Sequence, residues 1–108
     1  MATWADVDEL AARLDRATPG VAHEGSPTWD VGPHPFARLR LDDDGREILQ
    51  FWSMDLDSEA ALASRRDVFF HVATFSVKCS IWAWLDRLDR TELAEILEES
   101  WRARRGVR

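Results

Sequence analysis

The sequence predicts an α+β domain: an antiparallel β-sheet with its helices packed on one face. Segments of period-two hydrophobicity outnumber segments of helical period. Most connections between them are too short for the crossovers that parallel strands require. The order of elements reads α, four β, short α, two β, α, a pattern that packs helices against one side of an antiparallel sheet. A chain of 108 residues, 45% hydrophobic and 31% charged, has the balance of one globular domain spanning 1–108.

The opening helix starts at Thr3, with Asp6 as its capping-box partner. Val7, Leu10, Ala11 and Leu14 then form one apolar stripe, and Thr18-Pro19-Gly20 is expected to end it. Val21–Glu24 and Thr28–Val31 follow as strand candidates, the second bracketed by Ser26-Pro27 and Gly32-Pro33. In Phe36–Leu41 the residues Ala37, Leu39 and Leu41 share one face and Arg38 and Arg40 the other. Asp42-Asp43-Asp44-Gly45 makes a hairpin turn, because Asp-Gly tolerates positive φ. Glu47–Ser53 returns as a strand.

A short helix is expected from Asp55 or Asp57 to about Arg65, then a strand at Val68–Val72. Val77–Leu85 is the clearest strand: Val77, Cys79, Ile81, Ala83 and Leu85 line one face, and Lys78, Ser80, Trp82 and Trp84 the other. Asp89 and Glu92 cap a final helix carrying Leu93, Ile96, Leu97 and Trp101 on one side. Basic residues 102–108 are expected to follow it as a tail whose charge complements the helix dipole. Ala37, Leu39, Leu41, Ile81 and Leu85 are expected to be buried.

Charge is uneven along the chain. The net charge is −6, yet the tail holds Arg102, Arg104, Arg105 and Arg108 and no acid. Residues 1–101 therefore hold 10 basic and 20 acidic groups, a net −10. Such a body repels phosphate on average, so any contact with nucleic acid falls to local arginines. Arg38 and Arg40 line the non-core face of their strand, either paired with acids or forming a ridge for phosphate or carboxylate. Pairing leaves no positive patch, whereas binding requires one.

Other residue chemistry is sparse. His23, His34 and His71 lack metal-ligand spacing. The single cysteine, Cys79, excludes an internal disulfide and falls on an apolar face, where a thiol is inert. Asp42–Asp44 lack the alternating ligands of a calcium loop. Nucleophile-elbow, phosphate-loop and dinucleotide motifs are absent, so the chain reads as non-enzymatic and without a cofactor. With no apolar run of membrane length and no signal-peptide pattern, the expected setting is cytoplasmic. Six tryptophans mostly serve the core. Trp82 and Trp84 instead share the face opposite the apolar one, covered by a helix or standing as an aromatic patch. With His34, they form a candidate surface for a protein or small ligand.

The order of several motifs resembles the MmcQ/YjbR family of small bacterial proteins. The carriers are Thr18-Pro19-Gly20, then Gly25-x-Pro27-x-Trp29-x-Val31, Phe36-Ala37-Arg38-Leu39, Val68-Phe69-Phe70 and Leu85-Asp86-Arg87-Leu88. The closing run Glu92-Leu93-Ala94-Glu95-Ile96-Leu97-x-x-Ser100-Trp101-Arg102 completes the likeness. The resemblance implies a frataxin-like (CyaY-like) α+β fold and a DNA-binding role. The first helix lacks a dense acidic ridge, so no iron site is expected. On that reading Arg38, Arg40, Arg102, Arg104 and Arg105 are the candidate phosphate contacts, as charge-assisted donors.

Overall fold

The structure is a computed structural model that describes residues 1–52, 65, 67–70 and 80–105. The expected short helix, His71, Lys78 and Cys79 lie outside the described residues.

Helix α1 (Trp4–Ala11) begins as the capping pattern requires, with the Thr3 N–H donating to Asp6 Oδ2 at 2.9 Å. It stops a turn earlier than the apolar stripe suggests. Arg16, at φ +60°, then redirects the backbone into β1 (Ala17–Val21). Thr18-Pro19-Gly20 is therefore part of a strand and not the helix stop. Proline is tolerated there because β1 is an edge strand. At Gly20 a side chain would meet the Asp30 carboxylate and Thr28 hydroxyl on the next strand, so those side chains would have to shift to admit one.

The remaining strands are β2 (Pro27–Val31), β3 (His34–Leu41), β4 (Glu47–Trp52), β5 (Phe69–Phe70) and β6 (Ser80–Trp84). They join β1 in one antiparallel sheet of order β1-β2-β3-β4-β6-β5. The β3–β4 turn forms as expected. Gly45 takes φ +82°, and Asp42 Oδ1 accepts from the N–H groups of Asp44 and Arg46. This turn is a self-satisfied Asx structure. The last strand ends at Trp84, and Leu85 opens a 3-10 turn (Leu85–Arg87) instead of completing β6.

Helix α2 (Arg90–Arg105) starts where Asp89 Oδ1 accepts from the Glu92 N–H at 2.8 Å. It does not stop at Trp101. The expected tail is helical through Arg105, because the Arg104 and Arg105 guanidinium groups pack on Trp52 and Trp101. Arginine is also a good helix former.

Both described helices lie on one side of the sheet. Val7 and Ala11 of α1 and Leu93, Leu97 and Trp101 of α2 meet Trp29, Val31, Ala37, Leu49, Phe51, Ile81 and Ala83 in one core. Arg90 ties the helices together through Asp6 at 2.8 Å and Glu9 at 2.9 Å. Of the residues expected inside, Ala37, Ile81 and Leu85 are buried and Leu39 is half-buried against the core. Leu41 is 60% exposed. It pairs with Glu47 on the last rung before the hairpin turn, outside the described core.

A β-bulge sets the faces of β3. Trp29 pairs with Ala37 and Asp30 with Pro35, leaving Phe36 as an extra residue. Phe36 and Ala37 are both fully buried in consequence, and Arg38 and Arg40 emerge on the opposite face.

Candidate functional site

Period-two alternation and antiparallel register build the site. One row runs Gly20, Thr28, Arg38, Gln50, Trp82, Phe70 across all six strands. The next row joins Arg40, Ile48 and Trp84. No described helix covers this face. Arg38, Arg40, Trp82 and Trp84, which the sequence assigns to two separate sites, therefore form one surface.

The aromatic and cationic groups interleave. The Arg40 guanidinium lies 4.5 Å from the Trp82 ring centroid, and its Nε donates to Gln50 Oε1 at 2.8 Å. Phe70 stands 5.9 Å from Trp82 and 5.0 Å from Trp84. Arg46 closes the series 3.9 Å from Trp84, while both its Nε and Nη2 donate to Asp86 at 2.7 Å. Arg46 and Trp84 were not singled out as partners in the sequence. The signal was available in part, since the hairpin places Arg46 next to the row of Ile48 and Trp84.

Electrostatics separates these arginines. Burial lowers the Arg40 pKa, the nearby Arg38 charge lowers it further, and Glu24 opposes both. Arg38 reaches Glu24 at 3.4 Å, and its side chain is only 17% exposed. Arg46 instead has its pKa raised, first by the hydrogen bonds to Asp86. The same bonds hold the Asp86 carboxyl below the ordinary carboxylate value. A depressed carboxyl stabilises the fold above its unfolded pKa, and this contribution is lost as pH falls through the folded pKa. Thermal melts are therefore expected to show part of the loss of stability below about pH 4 abolished in Asp86→Asn. The change is small, because the pair is partly exposed.

The remaining candidates separate. Arg104 reaches the end of the sheet, 4.7 Å from the Trp52 ring centroid, with its Nε donating to the Pro35 carbonyl at 2.9 Å. Burial lowers its pKa too. Trp52 and Arg38 line one cavity, so Arg104 stands at the corner of the same surface. Arg102 pairs with Glu98 within α2, and Arg105 sits over Trp101. Neither joins the face. His34 opens β3 opposite the core residue Val31, away from Trp82 and Trp84.

Ser100, marked in the sequence only as part of the closing run and not as a site residue, supports the site from beneath. Its fully buried hydroxyl donates to the Phe36 carbonyl at 2.5 Å and accepts from the Trp52 N–H at 2.9 Å. It bridges the strands one step beyond their last pair, Ala37 with Phe51.

An antiparallel sheet with two described helices on one side and arginine and tryptophan on the other is an α+β fold. The YjbR family model matches residues 12–103, and the chain belongs to the YjbR family. Its fold is similar to the crystal structure of Deinococcus radiodurans protein DR2400, described by a DUF419 domain, with a TM-score of 0.78. That likeness covers 94% of this chain and 77% of the other at 16% identity. No curated protein matches the chain. Among the described residues, no helix is long and apolar enough to cross a membrane.

Proposed function

We propose that this protein is a non-enzymatic DNA-binding member of its family that meets nucleic acid with the face of the sheet opposite its described helices. The observation that carries this reading is the placement of Arg38 and Arg40 beside Trp82 and Trp84 on one surface. A phosphate meeting Arg38 would take the place of Glu24, which faces it at 3.4 Å, as the charge-assisted acceptor. Neighbouring bases or sugars would meet the tryptophans, since aromatic contact is tolerant of sequence. The net charge of −6 opposes approach at long range. Binding is thus weak and governed by short-range contacts.

Affinity for duplex and single-stranded oligonucleotides, measured against salt, tests the proposal. Two or three phosphate contacts, by Arg38, Arg40 and Arg104, give a log–log slope of about −2 to −3 on duplex. The double variant Arg38→Ala/Arg40→Ala is expected to bind at least about tenfold more weakly. Arg102→Ala, which removes an arginine paired within its own helix, is expected to change little. No detectable binding of either oligonucleotide at low salt ends the proposal.

A further inference from the structure

The connection between β1 and β2, residues 22–26, sets an acid against the arginine ridge. The Ala22 N–H donates to the Ser26 carbonyl at 2.7 Å, and the Gly25 N–H to the Ala22 carbonyl at 2.8 Å. Gly25 takes φ +88°, which glycine adopts at little steric cost. The loop closes on its own backbone and so fixes where Glu24 stands. From there the Glu24 carboxylate accepts from Arg38 Nη2 at 3.4 Å. Glu24 also lines a cavity with Arg40 and Trp82, and its charge acts on Arg40 against the effects of burial and of Arg38. Asp30, an acid that lines a second cavity with Arg38, is engaged elsewhere, its Oδ1 accepting from Thr28 Oγ1 at 2.9 Å.

The two halves of the Arg38–Glu24 pair are unequal. The Arg38 side chain is 17% exposed and the Glu24 side chain 69%. The arginine is held by its surroundings, whereas the glutamate keeps most of its hydration and can swing into water. Among the described residues the pair has one contact. It is longer than a charge-assisted hydrogen bond usually is, and it lacks the bidentate fork of the strongest arginine pairs. Exposed, single-contact pairs of this kind are weak. We propose that Glu24 is an autoinhibitory carboxylate, which occupies the place of a phosphate at Arg38 in the free protein and is displaced when nucleic acid binds. This regulation rests on the reading of the face as a DNA-binding surface. Contact with Arg38 then costs the breaking of the internal pair, and the displaced carboxylate stays near the bound phosphate as a like charge. Both effects lower the affinity.

The test compares Glu24→Gln with Glu95→Gln in the full chain. Each removes one negative charge from an exposed position. Glu95 stands on α2 in the groove beside Leu10 of α1, on the other side of the sheet. At about 0.1 M salt, where screening acts over about 10 Å, Glu95→Gln is expected to raise oligonucleotide affinity by less than about twofold. Glu24→Gln is expected to raise it about three- to fivefold. In an Arg38→Ala background the gain from Glu24→Gln is expected to fall below about twofold. Equal effects of the two single variants, no gain, or an undiminished gain without Arg38 overturns the inference and leaves DNA binding by the parent in place. If neither the parent nor Glu24→Gln binds an oligonucleotide, the preceding proposal fails and inorganic tripolyphosphate decides the role of Glu24, by NMR titration of the arginine side chains. Tripolyphosphate is expected to bind Glu24→Gln about three- to fivefold more tightly than the parent. Equal or undetectable binding of tripolyphosphate by the two overturns the inference.

Discussion

Replacing Phe36 with alanine is expected to destabilise the protein by about 3–5 kcal/mol, the range for deleting a buried phenyl ring from a packed core. Phe36 is completely buried and is the extra residue of the β3 bulge. Its ring joins the core formed by the sheet and helices, and its carbonyl accepts from Ser100. Collapse around the lost ring is restricted, because α2 is held at this point by the Ser100 contact. Domains of this size have total stabilities of about 5–15 kcal/mol, so the variant should be marginal or unfolded at 37 °C. Equilibrium urea unfolding measures the loss, with Arg102→Ala as an exposed control expected within about 0.5 kcal/mol of the parent. A Phe36→Ala loss below about 1 kcal/mol would mean that the bulge is not packed as described.

Replacing Ser100 with alanine is expected to cost about 2–4 kcal/mol, a large effect for removing one oxygen atom. The estimate follows from what remains behind. The Phe36 carbonyl and Trp52 N–H both lose the hydroxyl that joins them, and each buried unsatisfied group costs about 1–3 kcal/mol. The site should feel the change as well, since Trp52 packs against Arg104 and lines the cavity with Arg38. Urea unfolding gives the energy. Tryptophan emission of the folded variant reports whether the end of β4 has moved. A cost near zero would show that water replaces the hydroxyl without penalty.

The arginines of this acidic protein differ in their surroundings. Several arginines are neutralised in place: Arg46 by Asp86, Arg90 by Asp6 and Glu9, and Arg102 by Glu98. Burial lowers the pKa of Arg40 and Arg104, and both guanidinium groups rest on tryptophan rings at the face opposite the described helices or at its corner. Total charge is therefore a poor guide to this surface, because short-range contacts and long-range repulsion act on different length scales.

Much of the fold was legible in the order of residues because its signals are local. Alternation is a property of the extended backbone, and it correctly separated Arg38 and Arg40 from Ala37, and Trp82 and Trp84 from Ile81 and Ala83. The Thr3–Asp6 and Asp89–Glu92 caps and the Asp42–Gly45 turn likewise act within a few residues. Features made by distant segments were not legible. Thr18-Pro19-Gly20 looks like a helix stop until β2 pairs with it. Leu41 completes an apolar face, yet the core does not extend to its rung. The arginines after Trp101 look like a tail until Trp52 brings Arg104 to the sheet. Pairing register, the Phe36 bulge and the Ser100 bridge join residues far apart in the chain, and no local propensity encodes which of those contacts will form. The union of the arginine and tryptophan candidates on one face has the same origin: each strand chooses which side its residues take, but the sheet alone chooses their neighbours.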